Sequence, residues 1–295
     1  MSSGLKNYLR RLLLGYRFQE RLQEDHRTLG RLGNQHYLDL YNDLLAPGSR
    51  PGINAYEFSR FSQNGEDGII LFLASRTGVD RYYIVEIGTE DGRECNSANL
   101  ILNYGWQGLL IEASKKWTDK GNLYFTEQGA SNRTTIINQK VTPSNVNEIL
   151  YHGKAPNDLD ILSIDIDSYD YWVWEAIDGY NPKIVIIEYN ASFGPCRSVT
   201  IPKGTLENDQ KYPSYYHGAS LAALKKLGEK KGYDLLGCDS RGVNSFFVRK
   251  DLTKCTGLQI QEPDNAFRKH FRRSRRKTVE QQFREIAHLP LVEID

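Results

Sequence analysis

Residues Tyr82–Ser114 read YYIVEIGTEDGRECNSANLILNYGWQGLLIEAS. The first apolar run ends at Glu86 and opens into Gly88, Asp91 and Gly92; the second, Gly108 to Ile111, ends at Glu112. A strand, a glycine turn, a helix and a second strand ending in one carboxylate form a parallel unit of the kind that holds a nucleotide-like ligand. A helix N-terminus after a glycine turn favours an anionic group, and an acid about 20 residues on can take both ribose hydroxyls. The acids Glu86, Glu90 and Asp91 in and beside the loop would repel a pyrophosphate and attract a cationic centre. S-adenosylmethionine, with an adenosine, an amino group and a sulfonium, satisfies both demands. Its expected contacts are Glu86, Gly88, Asp91, Gly92 and Glu112.

Further apolar runs at Thr134–Val141, Leu159–Ile166 and Lys183–Tyr189 alternate with helical stretches near Asn96–Asn103, Asn145–Tyr151 and Tyr171–Ile177. Continuous apolar strands alternating with helices argue for a parallel sheet covered on both faces. A helix at Ser220–Lys231 ends at Gly232, as a C-cap glycine should. Two strands, Tyr233–Cys238 and Val243–Arg249, then flank a turn too short for anything but an antiparallel hairpin. The expected architecture is a doubly wound α/β Rossmann-like sheet, mostly parallel, ending in an antiparallel hairpin.

The chain has 295 residues, and its 38 basic and 37 acidic side chains nearly cancel, so overall charge points to no nucleic-acid partner. Hydrophobic residues at 39% support a packed core. Four scattered cysteines without a CxxC pair argue against disulfides or structural zinc, and fit a cytoplasmic setting. Residues 1–52 read as an N-terminal helical extension broken off by Pro47–Gly52, residues 53–255 as the main domain, and residues 256–295 as a basic helical tail. The extension is expected to cover the core, a neighbouring subunit or the site mouth, or to rest on a membrane surface. No stretch has the length of a membrane span. The basic run Arg268–Lys277 reads as a solvated helix, or as a docking patch for an anionic glycan, membrane or partner.

The second dense cluster is LDILSIDIDSYDYWVW, Leu159–Trp174. Strand alternation places Asp165 and Asp167 on one face, and Glu188 and Asn190 share a face of the next strand. Ligands of open α/β sheets bind beyond the carboxyl ends of the strands, so these groups are expected to converge. Crowded carboxylates call for a compensating cation. Asp165, Asp167, Glu188 and Asn190 are therefore candidate oxygen ligands for Mg2+ or another divalent cation, which would lower the pKa of an acceptor hydroxyl. The alternative is that Asp165 contacts the cofactor's amino acid moiety while the others accept loop amides. His217 is a candidate general base, with Asp167 and Asp170 as rivals. Tyr169, Tyr171, Trp172 and Trp174 are expected to stack on a ring or to pack the core. In Phe61–Gly68, Gln63 is a candidate contact to the cofactor's carboxylate.

As a set, these motifs resemble the FkbM-like branch of class I S-adenosylmethionine-dependent methyltransferases, over about Phe58 to Lys250. Ser62-Gln63 matches that branch's Ser-Gln patch before the first strand, Glu86-Ile87-Gly88 its acid-x-Gly strand end, and Glu188 the glutamate ending its fifth strand. Its fourth strand typically reads Ile-Asp-x-Glu-Gly-x-Glu; here Ile164–Asp170 reads IDIDSYD, with Asp at Asp167 and Asp170 and Ser168 in place of glycine. A parallel sheet finished by an antiparallel hairpin is also the arrangement of class I methyltransferases. The resemblance implies O-methylation, often of sugars in natural products or surface glycans. A nicotinamide-dependent sugar oxidoreductase is the rival enzyme, although it would want G-x-G-x-x-G where this chain has Gly88-Thr-Glu-Asp-Gly92. A non-catalytic scaffold with the same fold is the rival outside enzymes, and a homo-oligomer is compatible with each.

Overall fold

The computed structural model describes residues 52–204 and 212–295, so the expected N-terminal helices lie outside the described residues. One seven-stranded sheet organises the described residues. In chain order its elements are α1 (Glu66–Thr77), β1 (Tyr83–Ile87), α2 (Ala98–Tyr104), β2 (Gln107–Glu112), α3 (Lys115–Glu127) and β3 (Thr134–Asn138). There follow α4 (Val146–His152), β4 (Ile161–Ile164), α5 (Asp170–Ala176), β5 (Ile184–Glu188), α6 (Leu221–Lys231), β7 (Tyr233–Cys238) and β8 (Asn244–Arg249). A separate two-stranded ribbon pairs β6 (Val199–Thr200) with β9 (Val292–Glu293). The large sheet runs β3-β2-β1-β4-β5-β8-β7. Strands β1 to β5 pair in parallel, and β8 lies antiparallel to both β5 and β7. This is the expected mostly parallel sheet closed by an antiparallel hairpin.

Strand periodicity builds the two apolar layers. Val85, Ile87, Leu109, Ile111, Leu162, Ile164, Val185 and Ile187 face one layer, which also buries Trp174. Ile84, Leu110, Ile161, Ile184 and Ile186 face the other, together with Phe72 and Trp106. Each fully buried side chain of this size contributes roughly 1.5–3 kcal/mol of hydrophobic stabilisation, which is why the central strands carry almost no polar residues. The aromatic run after β4 serves this core. Tyr169, Tyr171 and Trp174 are buried, and Trp172 donates its indole N–H to the Ile201 carbonyl at 2.7 Å.

Helix α3 was not expected from the sequence. Its segment is polar and contains Gly121, but it begins at an N-cap, Ser114, whose hydroxyl accepts from the Trp117 amide. It buries Thr118, Gly121, Tyr124 and Phe125, a helical i, i+3, i+6, i+7 stripe. Gly121 lets the helix approach the sheet, since a Cβ there would meet Ile136 at 3.1 Å.

The last 40 residues do not extend as a tail. β9 pairs with β6, the helix Val279–Arg284 carries a capping box between Thr278 and Gln281, and the Tyr189 hydroxyl bridges to the Arg268 backbone. The basic run itself holds only a short 3-10 turn, Arg273–Arg275, rather than a solvated helix. All four cysteines are free. Among the described residues no helix is long and apolar enough to cross a membrane.

The chain leaves β1 toward β2 and β3 on one side, then returns to β4 and β5 on the other. The crevice beyond β1 and β4 is thus the switch point at which open α/β sheets bind ligands. Gly88 stands there with φ +86°, and a Cβ on it would fall 1.7 Å from the Asp165 carbonyl oxygen. Gly88→Ala is therefore expected to lower unfolding free energy by roughly 2–4 kcal/mol. Chemical denaturation measures this, and an unchanged midpoint would contradict the close approach.

Candidate active site

A cavity of about 470 Å3 opens at the carboxyl ends of β1, β2 and β4, within the size range of small-molecule sites. Glu86, Gly88, Glu112, Asp165 and Asp167 line it, as does Gln63 from the loop before α1. Glu112 ends β2 and is buried. One of its oxygens accepts the Glu90 amide at 2.9 Å, the other the Ser114 amide at 2.7 Å. Each carboxylate oxygen takes about two donors, so Glu112 is held in place with acceptor capacity left for a ligand diol.

Glu86 has a second duty that the sequence did not reveal. Its two oxygens accept the amides of Asn96 and Ser97, each at 2.8 Å. The amides just before α2 are thereby occupied by a protein carboxylate, which leaves that turn unsuited to a pyrophosphate. Burial pushes the Glu86 carboxyl above its ordinary pKa, against the pull of those hydrogen bonds. Asp91 and Gly92 do not line the cavity. Asp91 turns to Arg93, with an amide bond at 3.2 Å and a guanidinium contact at 3.5 Å, while Gly92 packs its positive-φ turn on Phe125.

Several lining residues escaped the sequence reading. Glu66 is buried; it accepts from the Asn64 backbone and side chain and, across the cavity, from the Asn244 amide at 2.9 Å. Asp67 gathers the amides of Arg60, Phe61 and Ser62 onto one oxygen, so the polar Phe61–Gly68 patch is mainly a latch for its own loop. Gln63 reaches the cavity but donates to Glu94. The roof comes from far along the chain: Arg241 on the β7–β8 turn, and His270, Phe271 and Arg272 from the basic run. Asp239 fixes that turn by accepting the amides of Arg241, Val243 and Asn244, and burial raises its carboxyl to about 7. The guanidiniums of Arg241 and Arg275 stand over the Phe271 ring, at 4.3 and 4.1 Å from its centre. The basic run was visible in the sequence, but a charge run alone does not reveal what it faces.

The acids after β4 and β5 do converge, though not by the expected alternation. β4 ends at Ile164, and Asp167 takes a left-handed backbone, φ +53°. Asp167 is exposed, while Glu188 and His217 are buried beneath it and do not line the cavity. Asp170 is not placed to act as a base. It is fully buried, and its oxygens accept the amides of Ile166 at 2.9 Å and Ser168 at 3.1 Å, latching the loop that carries Asp167. Burial raises its carboxyl to about 6. Asn190 is likewise consumed by structure. Its amide donates to the carbonyls of Tyr215 and His217, and its oxygen accepts from the Ser192 amide and Arg273. With a guanidinium on that oxygen, Asn190 cannot serve as a metal ligand.

Asp165 and Glu188 sit well above the usual carboxylate range, chiefly through burial and then through the neighbouring acids; Arg273 pulls Glu188 back only in part. His217 is the anomaly of the cluster. It is 5% exposed, and neither ring nitrogen has a hydrogen-bond partner among the described residues. Its Nδ1 lies 3.8 Å from Glu188 Oε2 and 3.9 Å from Asp167 Oδ1, beyond hydrogen-bonding range. Burial, with Arg273 and His270 adding to it, pushes the imidazole down to about 3. It is neutral, and these contacts are not ion pairs.

No protein-family model matches the chain, and no curated protein matches it. Among solved structures, the chain is similar to the O-methyltransferase TomG from Streptomyces achromogenes in complex with SAM, at 13% identity and TM-score 0.39, covering 72% of this chain and 96% of that one. It is similar to an O-methyltransferase from Bacillus cereus in complex with SAH, at 15% identity and TM-score 0.40, covering 72% and 95%. It is also similar to magnesium protoporphyrin IX methyltransferase from Synechocystis PCC 6803 with bound SAM, at 14% and 0.41, covering 62% and 77%. Likeness this slight bears on neither activity nor acceptor.

A depressed histidine pKa contributes stability that is present above about 6.5 and lost as pH falls toward 3. Relative to His217→Gln, the native chain is thus expected to lose stability on acidification through that window, measured by denaturant titration at each pH. In NMR the His217 ring is expected to show no protonation step between pH 8 and 5; a step near 6.5 would contradict its neutral burial.

Proposed function

We propose that this chain is an S-adenosylmethionine-dependent O-methyltransferase. The observation that carries this reading is the placement of Glu112, anchored by two backbone amides at the end of β2 and opposite the Gly88 turn. A diol held there belongs to a ribose. The remaining lining suits a cationic cofactor head: Glu86, Asp165 and Asp167 stand around the crevice, and the amides that a pyrophosphate would need are bound to Glu86. These residues fit S-adenosylmethionine and disfavour a nicotinamide dinucleotide.

In this reading Glu112 binds the ribose, and Glu86 and Asp165 provide acceptors and negative potential for the amino group and sulfonium. Gln63 stands near the amino acid end. When bound, the cofactor supplies an electrophilic methyl group. The chain contributes position and a partly dry wall, which suffice for much of an in-line transfer. Gln63, Asn64, Thr89, Gln139 and Asn244 also line the cavity, a set of donors and acceptors suited to a hydroxyl-rich acceptor. Together with the FkbM-like motifs, this favours a sugar hydroxyl, in a surface glycan or a glycosylated natural product. Sugar hydroxyls ionise poorly near neutral pH, and in this reading the help comes from Asp165 and Asp167, which line the cavity, with Glu188 and His217 buried beside Asp167. A divalent cation there would lower the hydroxyl's pKa. Without one, Asp167 is the exposed carboxylate that can take the proton.

Glu112→Ala is expected to weaken S-adenosylmethionine binding at least about tenfold, or 1.4 kcal/mol, by titration calorimetry. If the native chain releases no heat with the cofactor, or if the variant binds it as tightly, the reading fails.

A further inference from the structure

The buried imidazole, with no hydrogen-bond partner among the described residues, carries a sharper conclusion. We infer that Asp167, Glu188 and His217 bind one first-row divalent transition-metal ion, through His217 Nδ1 and one oxygen from each carboxylate. This deepens the metal-assisted part of the reading above and changes its ligands, because His217 enters and Asp165 and Asn190 leave.

Three observations support it. First, one ligand atom from each of the three residues can be chosen so that all lie within 4.8 Å of one another. Ligand atoms about 2.1 Å from a common ion stand roughly 3–4.2 Å apart, and the Nδ1 separations of 3.8 and 3.9 Å fall in that range. The exposed Asp167 side chain is free to close the remaining distance. Second, leaving a buried donor or acceptor unpaired costs about 1–3 kcal/mol. Both nitrogens of His217 are buried and unpaired, yet Nδ1 points at two carboxylates. A neutral imidazole is the form that ligates metals. Third, among the described residues no lysine or arginine pairs with Glu188, and Arg273 is turned to the Asn190 oxygen at 3.4 Å.

One imidazole nitrogen with two carboxylates suits Mn2+, Fe2+ or Zn2+ better than the oxygen-only set expected for Mg2+ or Ca2+. The neighbouring trio Asp165, Asp170 and Glu188 also lies close together. It has no imidazole, and Asp170 is committed to the Ile166 and Ser168 amides. Of the three proposed ligands only Asp167 borders the cavity, so it would join the ion to the crevice.

The test uses the full chain, stripped with chelator and titrated with MnCl2, which is paramagnetic and read by electron paramagnetic resonance. Expected are one bound Mn2+ per chain and nitrogen-14 modulation from the His217 ring. His217→Gln should abolish the modulation. Asp167→Asn should weaken binding at least about tenfold; its side chain is exposed, and asparagine tolerates the left-handed backbone, so the fold is retained. Thermal unfolding of each variant confirms that it is folded. No Mn2+ uptake at millimolar concentration overturns the inference, as does uptake without nitrogen modulation or uptake unchanged in both variants. Calorimetry with S-adenosylmethionine on the same samples reports on the cofactor separately. A chain that takes Mn2+ but not the cofactor loses the proposed function and keeps the metal, and the converse result does the opposite.

Discussion

The close approach of Gly88 to the end of β4 is the constraint on which the site depends. Its amide donates to the Ile111 carbonyl at 2.9 Å, and the Asp165 amide in turn donates to the Ile87 carbonyl at 2.9 Å. β1 is thereby bound at its tip to both neighbours, β2 and β4. A residue with a side chain at Gly88 would force these tips apart. Glu112 on one side and Asp165 on the other would then no longer face a common space.

The acids of this chain divide by what they hold. Asp67, Glu86, Asp170 and Asp239 each accept two or more backbone amides and fix a loop around the crevice. Asp160 does the same at the opposite end of the sheet, taking the amides of Asp80, Arg81 and Tyr83. Such bonds favour the charged carboxylate, while burial disfavours it; for Glu86, Asp67 and Asp170 burial dominates. Asp165, Asp167 and Glu188 have no such amide partners among the described residues. Their oxygens are therefore left open among the described residues.

The strands were legible because burial on both faces demands uninterrupted apolar runs, and Glu112 was legible because a lone acid ending such a run is out of character. Helix α3 was hidden by a surface position that needs few apolar residues. Asp167 reached the cavity although the alternation argument for it does not apply, since the chain leaves the extended conformation at that residue. Asn190 looked like a ligand because its type fits one, and only the Tyr215 and His217 carbonyls reveal that it bolts down the neighbouring segment. Asp170 was misread in the same way: a carboxylate in the turn beyond a strand is equally well placed to cap amides or to take a proton. What a polar side chain bonds to is a long-range property, and a single sequence carries little of it.

The cavity is assembled from opposite ends of the domain's sequence. Its floor is complete by Ser168, whereas its roof waits for Arg241 and for His270 to Arg272, a segment anchored where the Arg268 backbone bonds the Tyr189 hydroxyl. During synthesis the acidic floor therefore emerges from the ribosome well before the basic segment that covers it.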